Sequence, residues 1–321
     1  MEPFRVTILG SGSALPTKDN FHASQVLELR GRRYMIDCGE GTQIKMGQYK
    51  VNVSRLNNIF ISHLHSDHCI GLAGLISTMA MLGRSEPLSI HAYKDLKNIL
   101  LPILDYFTDN DSFEVIFHDI NPKKKEIVYE DKALTVSTIP LKHRVPTCGF
   151  LFEERQGERH LIKQMIEAFD IPIRELKAIK QGADFVDKDG FVVKNERLTT
   201  PADVPRRYAY ISDTLYTESI IPQIEGVDCL FHEATFLEQD HRRAKETLHS
   251  TAIQAAQIAK KAKVKKLVIG HYSARYRQHK PFLDEARSVF ENTVLAEDGL
   301  PWYAVRLFSL IDIRTLIRTI I

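Results

Sequence analysis

The chain has 321 residues, 44% of them hydrophobic, enough for a large core in one layered domain or two ordinary ones. A net charge of +2 excludes a chain that is basic throughout, so any nucleic-acid footprint must be local. Cys38, Cys69, Cys148 and Cys229 have no CxxC spacing, Met1-Glu-Pro-Phe-Arg leads straight into a strand, and no apolar run nears the roughly 18 residues of a membrane span; a cytoplasmic protein without disulfides or membrane segments is expected.

Phe4 to Leu9 reads as an apolar strand closed by the polar turn Gly10-Ser-Gly12-Ser. The third glycine and following helix of a dinucleotide loop are missing. Val26-Leu-Glu-Leu and Arg33-Tyr-Met-Ile alternate around Arg30-Gly-Arg, a hairpin. Asp37-Cys-Gly-Glu-Gly41 follows, then a helix through Tyr49. Ile59-Phe-Ile-Ser-His63-Leu-His65-Ser-Asp67-His68 is a short strand that ends in four metal-type side chains, with a helix predicted over 72–82. A strand over 88–92, a helix over 94–107 and strands near 114–117 and 134–138 come next. The order mixes strands and helices in a way that favours packed sheets flanked by helices, an α+β class, over a doubly wound sheet.

From about 152 to 207 the character changes, with a charged run at Glu153 to His160, an amphipathic stretch from Ile162 to Phe169, and a turn at Asp187-Lys-Asp-Gly190. This segment is expected to project as an insertion, with a solvated helix pair as the alternative. Strands resume at Tyr208-Ala-Tyr-Ile, Asp228-Cys-Leu-Phe and Lys266-Leu-Val-Ile. An Ala-rich helix over 251–262 lies between the last two, capped by Ser250 or Thr251.

Imidazoles two apart on an extended chain share one side, so His63 and His65 can grip one ion, while the Asp67-His68 corner can reach a second; imidazole with carboxylate suits zinc. Asp37, His143, Asp213, Glu233 and His271 each sit at or just after the end of an apolar strand, where side chains can converge on one rim.

These residues resemble the metallo-β-lactamase superfamily signature, in order Asp37, His63 through His68, His143, Asp213 and His271. Within that superfamily the chain is similar to the ribonuclease Z family in its short form. The narrower matches are Gly10-Ser-Gly-Ser-Ala-Leu-Pro-Thr, Asp37-Cys-Gly-Glu-Gly-Thr-Gln43, Leu141-Lys-His143-Arg-Val-Pro, His232-Glu-Ala-Thr235, His249-Ser-Thr251, Ser273-Ala-Arg-Tyr276 and Ala296-Glu-Asp-Gly299. The resemblance implies one domain over 1–321 with an αββα sandwich fold and an RNA-gripping arm at about 152–207. It implies two Zn²⁺ per subunit: His63, His65 and His143 on one, Asp67, His68 and His271 on the other, Asp213 bridging, and a hydroxide shared between them. Asp67 would also accept a proton, His249 would donate one to the leaving 3′ oxygen, Glu233 would orient His249, and Asp37 would fix the ligand loop. The implied activity is removal of the 3′ trailer from precursor tRNA by a homodimer. The alternative is a zinc phosphodiesterase acting on small phosphodiesters or other RNAs.

The chain departs from the family in two places. Pro16-Thr-Lys-Asp-Asn20 lacks the arginine of an Arg-Asn pair, and the arm at Asp170-Ile-Pro-Ile-Arg lacks a Gly-Pro element, so an altered tip is expected. Lys163, Arg174, Lys177 and Lys180 are the expected phosphate contacts there. A β-lactamase is disfavoured by the HEAT and HST elements, a di-iron redox module by His65, and a non-catalytic scaffold by the unbroken ligand set. A final strand or helix is expected beyond Gly299.

Overall fold

The computed structural model describes residues 4–18, 20–107 and 113–303. Two seven-stranded sheets pack face to face. The first runs, edge to edge, Pro301–Tyr303, Phe4–Gly10, Ser24–Leu29, Arg32–Cys38, Leu56–Phe60, Leu88–Ala92 and Val115–Asp119, antiparallel up to Arg32–Cys38 and parallel beyond it. The second runs Thr293–Leu295, Leu267–Gly270, Cys229–Glu233, Arg207–Ile211, Cys148–Glu154, Leu134–Pro140 and Ile127–Glu130, parallel across the first four and antiparallel across the rest.

Alternation dictates this layering. Tyr34 and Ile36, Phe150 and Phe152, and Tyr208 and Tyr210 project at every second position into the space between the sheets, where they meet Phe4, Phe60 and Phe231. Each such buried side chain contributes on the order of 1.5–3 kcal/mol over exposure. The other face of the second sheet, through Leu151, Ile211, Leu230 and Ile269, takes the helices Ala252–Lys261 and Lys280–Val289. That of the first takes Thr42–Gln48, Gly71–Met81 and Asp95–Phe107 through Met35, Ile59 and Ile90. The result is the expected α+β arrangement of two sheets between helical layers.

Two local devices position the later chemistry. Thr251 caps the helix Ala252–Lys261 in a reciprocal box with Gln254, so of the two expected caps it is Thr251 that serves; Ser250 instead donates to the Thr214 carbonyl at 2.7 Å. Gly71, opening its helix, lies so near the turn after Cys38 that a Cβ would sit 2.0 Å from the Gly39 carbonyl oxygen. That contact presses the helix start against the loop that carries Asp37.

Residues 155–206 leave the second sheet between two strands that pair directly, Glu153 opposite Arg207. The charged start expected of the insertion is in part strand: Glu153 and Glu154 end Cys148–Glu154 and are held by Arg207 and Arg206. Beyond them, the helices Lys163–Ala168, Ile173–Lys180 and Asn195–Leu198 and two short antiparallel pairings enclose a separate apolar cluster of Ile171, Ile179, Phe185, Val193 and Leu198. Pro301–Tyr303 is the strand found after Gly299; the apolar end from Leu307 lies outside the described residues.

Candidate metal centre

His63, His65, Asp67, His68, His143, Asp213 and His271 converge on one rim, beyond the C-terminal ends of strands from both sheets. His63 Nε2 lies 3.0 Å from His65 Nδ1, and His143 Nε2 lies 3.4 Å from the same nitrogen. Asp213 Oδ2 stands 3.5 Å from His63 Nε2 and 3.6 Å from His143 Nε2. Its other oxygen, Oδ1, faces His68 Nε2 at 3.2 Å and His271 Nε2 at 3.1 Å. Asp67 Oδ2 completes that second group, 3.6 Å from His68 Nε2 and 3.7 Å from His271 Nε2. The split of Asp213 between two groups is the geometry of a bridging carboxylate.

The far side of these rings shows which nitrogen turns inward. His68 Nδ1 donates to Asp37 Oδ2 at 2.7 Å, and His143 Nδ1 donates to the Leu248 carbonyl at 3.0 Å. Ser62 Oγ gives its only hydrogen to Asp37 Oδ2, 2.9 Å away, so at 3.0 Å it accepts from His63 Nδ1. Each of these rings therefore commits Nδ1 to an outer partner and turns Nε2 inward. Ring nitrogens 3.0–3.4 Å from one another, gathered around the Asp213 carboxylate, suit a shared cation, so the donor set fits a borderline divalent metal.

Asp37 is not among the convergent groups. Buried completely, it accepts from the Ser62 amide at 2.7 Å, Ser62 Oγ, His68 Nδ1 and, at 2.7 Å, the Tyr210 hydroxyl. These bonds tie it to Ser62 and His68 of the turn. Asp37, Asp213 and His271 hold left-handed backbone, with φ of 56°, 49° and 63°. This conformation is uncommon outside glycine and aims the chain sharply at the strand ends.

Burial disfavours charge on His63, His65 and His143 and holds them below the usual imidazole range, the neutral form a metal ligand needs. At His68, burial is outweighed by Asp213, Asp37 and Asp67, and the ring is pushed up. Asp67 and Asp213 stay ionised: burial opposes this, but the neighbouring imidazoles prevail.

His249 lies at the edge of this centre, its ring 5.1 Å from that of His143 and 5.6 Å from that of His271. Its Nδ1 donates to Glu233 Oε1 at 2.9 Å. Burial works against charge on His249, yet the Glu233 carboxylate overrides it and the ring is pushed up to about 9. Glu233 is correspondingly held below the usual carboxylate range by His249 despite complete burial. His249 also converges with Asp213 and His271, but Glu233, which sustains its proton, lies outside the convergent groups, whereas Asp67 and Asp213, two of the three carboxylates that raise His68, stand within them and would face a bound cation.

Sequence reasoning missed the groups that hold the ligands: Ser62, Tyr210, the Leu248 carbonyl, Thr235, and the Ala14 amide, which donates to Asp67 Oδ2 at 2.8 Å. Beside the centre, a cleft of about 790 Å³ opens between the first loop, with Lys18 and Asn20, and the stretch carrying Tyr272, Arg277 and Lys280. The expected phosphate contacts are elsewhere, on the lobe of residues 155–206. Lys163 is paired with Glu167 at 3.6 Å, Arg174 with Glu175 at 3.2 Å and Lys180 with Glu158 at 4.0 Å. The lobe carries ten Lys and Arg against nine Asp and Glu. All four cysteines are free, and no helix among the described residues is long and apolar enough to cross a membrane.

Residues 4–162 match a family model described as Anti-Pycsar protein Apyc1, and residues 190–272 match one described as a beta-lactamase superfamily domain. Ribonuclease Z of Phocaeicola vulgatus is 54% identical over 300 residues, 94% of this chain and 97% of that protein. Ribonuclease Z of Parabacteroides distasonis is likewise 54% identical, over 94% of this chain and 99% of its own length. Among solved structures, human tRNase Z, short form, superposes with a TM-score of 0.68 at 23% identity over 94% of this chain and 100% of that one. The metallo-beta-lactamase fold protein YhfI of Bacillus subtilis gives 0.65 at 20%, over 94% and 99%. The fold is that of the metallo-β-lactamases.

Proposed function

The chain belongs to the ribonuclease Z family, and on that premise we propose that it is a metal-dependent endoribonuclease that removes the 3′ trailer from precursor tRNA and leaves a 3′-hydroxyl on the tRNA. The observation that carries this reading is the His249–Glu233 pair, 2.9 Å apart, set beside the convergent ligand groups.

His63, His65 and His143 would hold one zinc ion, Asp67, His68 and His271 a second, and Asp213 both. Two such cations would clamp the scissile phosphate and lower the pKa of the attacking water. The chain's own groups supply the proton traffic. Asp67, ionised and oriented by the Ala14 amide, accepts the proton of the attacking water. As the bond from phosphorus to the 3′ oxygen breaks, the leaving oxygen needs a proton, and His249 gives it from Nε2, because Nδ1 is committed to Glu233. Glu233 keeps His249 charged and aligned. The products are the tRNA 3′-hydroxyl and a trailer with a 5′-phosphate.

The lobe of residues 155–206 is read as the arm that grips tRNA away from the cleavage point, with Lys163, Arg174, Lys177 and Lys180 on phosphates. Assembly as a homodimer and residence in the cytoplasm complete the reading. The near balance of charge on the lobe favours a second one, a phosphodiesterase acting on small phosphodiesters or other RNAs.

Incubating the zinc-loaded protein with a 3′-extended precursor tRNA separates the two. A single cut after the discriminator base, with hydroxyl and 5′-phosphate ends, is expected. Hydrolysis of bis(p-nitrophenyl) phosphate with the precursor left intact would reject the main reading in favour of the second.

A further inference from the structure

Thr235 has a place in this centre that neither the motif nor the metal geometry assigns. Its side chain is buried, and its turn is clamped to the strand end carrying His271: the Ala234 amide donates to the Gly270 carbonyl at 2.8 Å and the Ser273 amide to the Thr235 carbonyl at 3.2 Å. Thr235 Oγ1 lies 2.6 Å from Glu233 Oε2 and 3.0 Å from His271 Nδ1. An ionised carboxylate only accepts, so the single hydroxyl hydrogen goes to Glu233, and the oxygen must accept from His271 Nδ1–H. This leaves His271 Nε2 bare and facing Asp213 and His68.

Glu233 is saturated by this arrangement. Oε1 accepts from the Thr214 amide at 2.8 Å and from His249 Nδ1, and Oε2 accepts from the Thr235 amide at 3.2 Å and its hydroxyl. The carboxylate that orients the proton donor is thus tied to a ligand ring through one hydroxyl. Across the centre, Ser62 repeats the device, donating to Asp37 and accepting from His63.

Resting on the reading above for the role of His249, we propose that Thr235 is a positioning residue: its hydroxyl fixes the His271 tautomer that can ligate a metal and locks Glu233 beneath His249, so that metal retention and proton donation share one hydrogen bond relay.

The test compares Thr235→Val, which keeps shape without the hydroxyl, with Thr235→Ser, which restores it. Zinc affinity is read by chelator competition, and leaving-group sensitivity by rates on aryl phosphodiesters of graded phenol pKa. Thr235→Val is expected to bind one of its zinc ions about 10–100-fold more weakly, the usual effect of removing a partner behind a metal ligand, and to steepen the leaving-group dependence. Thr235→Ser should recover both. Equal zinc affinity in wild type and Thr235→Val would overturn the proposal, as would failure of the serine to rescue. If the valine variant does not fold, nitrogen NMR of the metal-free wild type decides: His271 protonated on Nδ1 supports the relay, and protonation on Nε2 overturns it. Neither the zinc titration nor the tautomer uses RNA, so their failure is distinct from failure of precursor cleavage.

Discussion

At the strand ends, four imidazoles turn one nitrogen inward because the other is held by Asp37, Ser62, the Leu248 carbonyl or Thr235. On the lobe of residues 155–206, the basic side chains reach solvent, and three of the four are met by acids of the lobe itself. The first region is buried and determined atom by atom; the second has a small core of its own and a surface close to neutral. Chemistry can therefore be argued from distances in one region, whereas substrate choice in the other rests on shape and on exposed charges, whose individual ion pairs contribute little.

The largest effect that would sharpen this contrast comes from the centre. His65→Ala, or exhaustive chelation, is expected to remove cleavage of precursor tRNA and of bis(p-nitrophenyl) phosphate alike. Retention of either activity in metal-free protein would break the assignment of one shared centre.

His249→Ala should be more selective. Cleavage at a ribose oxygen is expected to fall about 10²–10⁴-fold, the range for a lost general acid, while a nitrophenolate, which leaves without a proton, changes little. Wild-type His249 is charged below about 9, so ribonucleotide cleavage should decline as pH rises through that value. In Glu233→Gln the anion that sustains the charge is gone, burial lowers the ring, and the decline should move toward neutral pH. An unmoved alkaline limb would remove His249 from the proton-donor role.

The smallest effects belong to the lobe. Replacing Lys163, Arg174, Lys177 and Lys180 together by alanine should leave small-phosphodiester hydrolysis intact and flatten the salt dependence of tRNA binding by about 1 in slope for each phosphate no longer neutralised. A slope equal to that of wild type would mean that these side chains do not touch RNA, and that Lys18, Arg277 and Lys280 around the cleft beside the centre are the better footing.

Much of the fold was readable because alternation and apolar periodicity are strong where one face is buried, as in Arg32–Cys38 and Gly71–Met81. Cys148–Glu154 escaped: its Gly149 suggests a break, yet glycine is required there, since a Cβ would lie 2.4 Å from the Tyr210 carbonyl oxygen of the neighbouring strand. Ile127–Glu130 escaped as a short edge strand. At the site, spacing exposed the cluster from His63 to His68, and strand ends exposed His143, Asp213 and His271. The hydroxyls of Ser62, Thr235 and Tyr210 left no pattern, because a serine, threonine or tyrosine at a strand end looks the same whether or not its proton is committed.

The left-handed backbone at Asp37, Asp213 and His271 sets a direction for what selection on stability alone would do. A side chain held in that conformation costs on the order of 1–2 kcal/mol, so glycine at any of the three would relax the backbone while deleting a group of the proposed centre. A library screened only for survival on heating would drift toward inert proteins at these positions. One screened for turnover would keep all three and gather its stabilising changes in the outer helices.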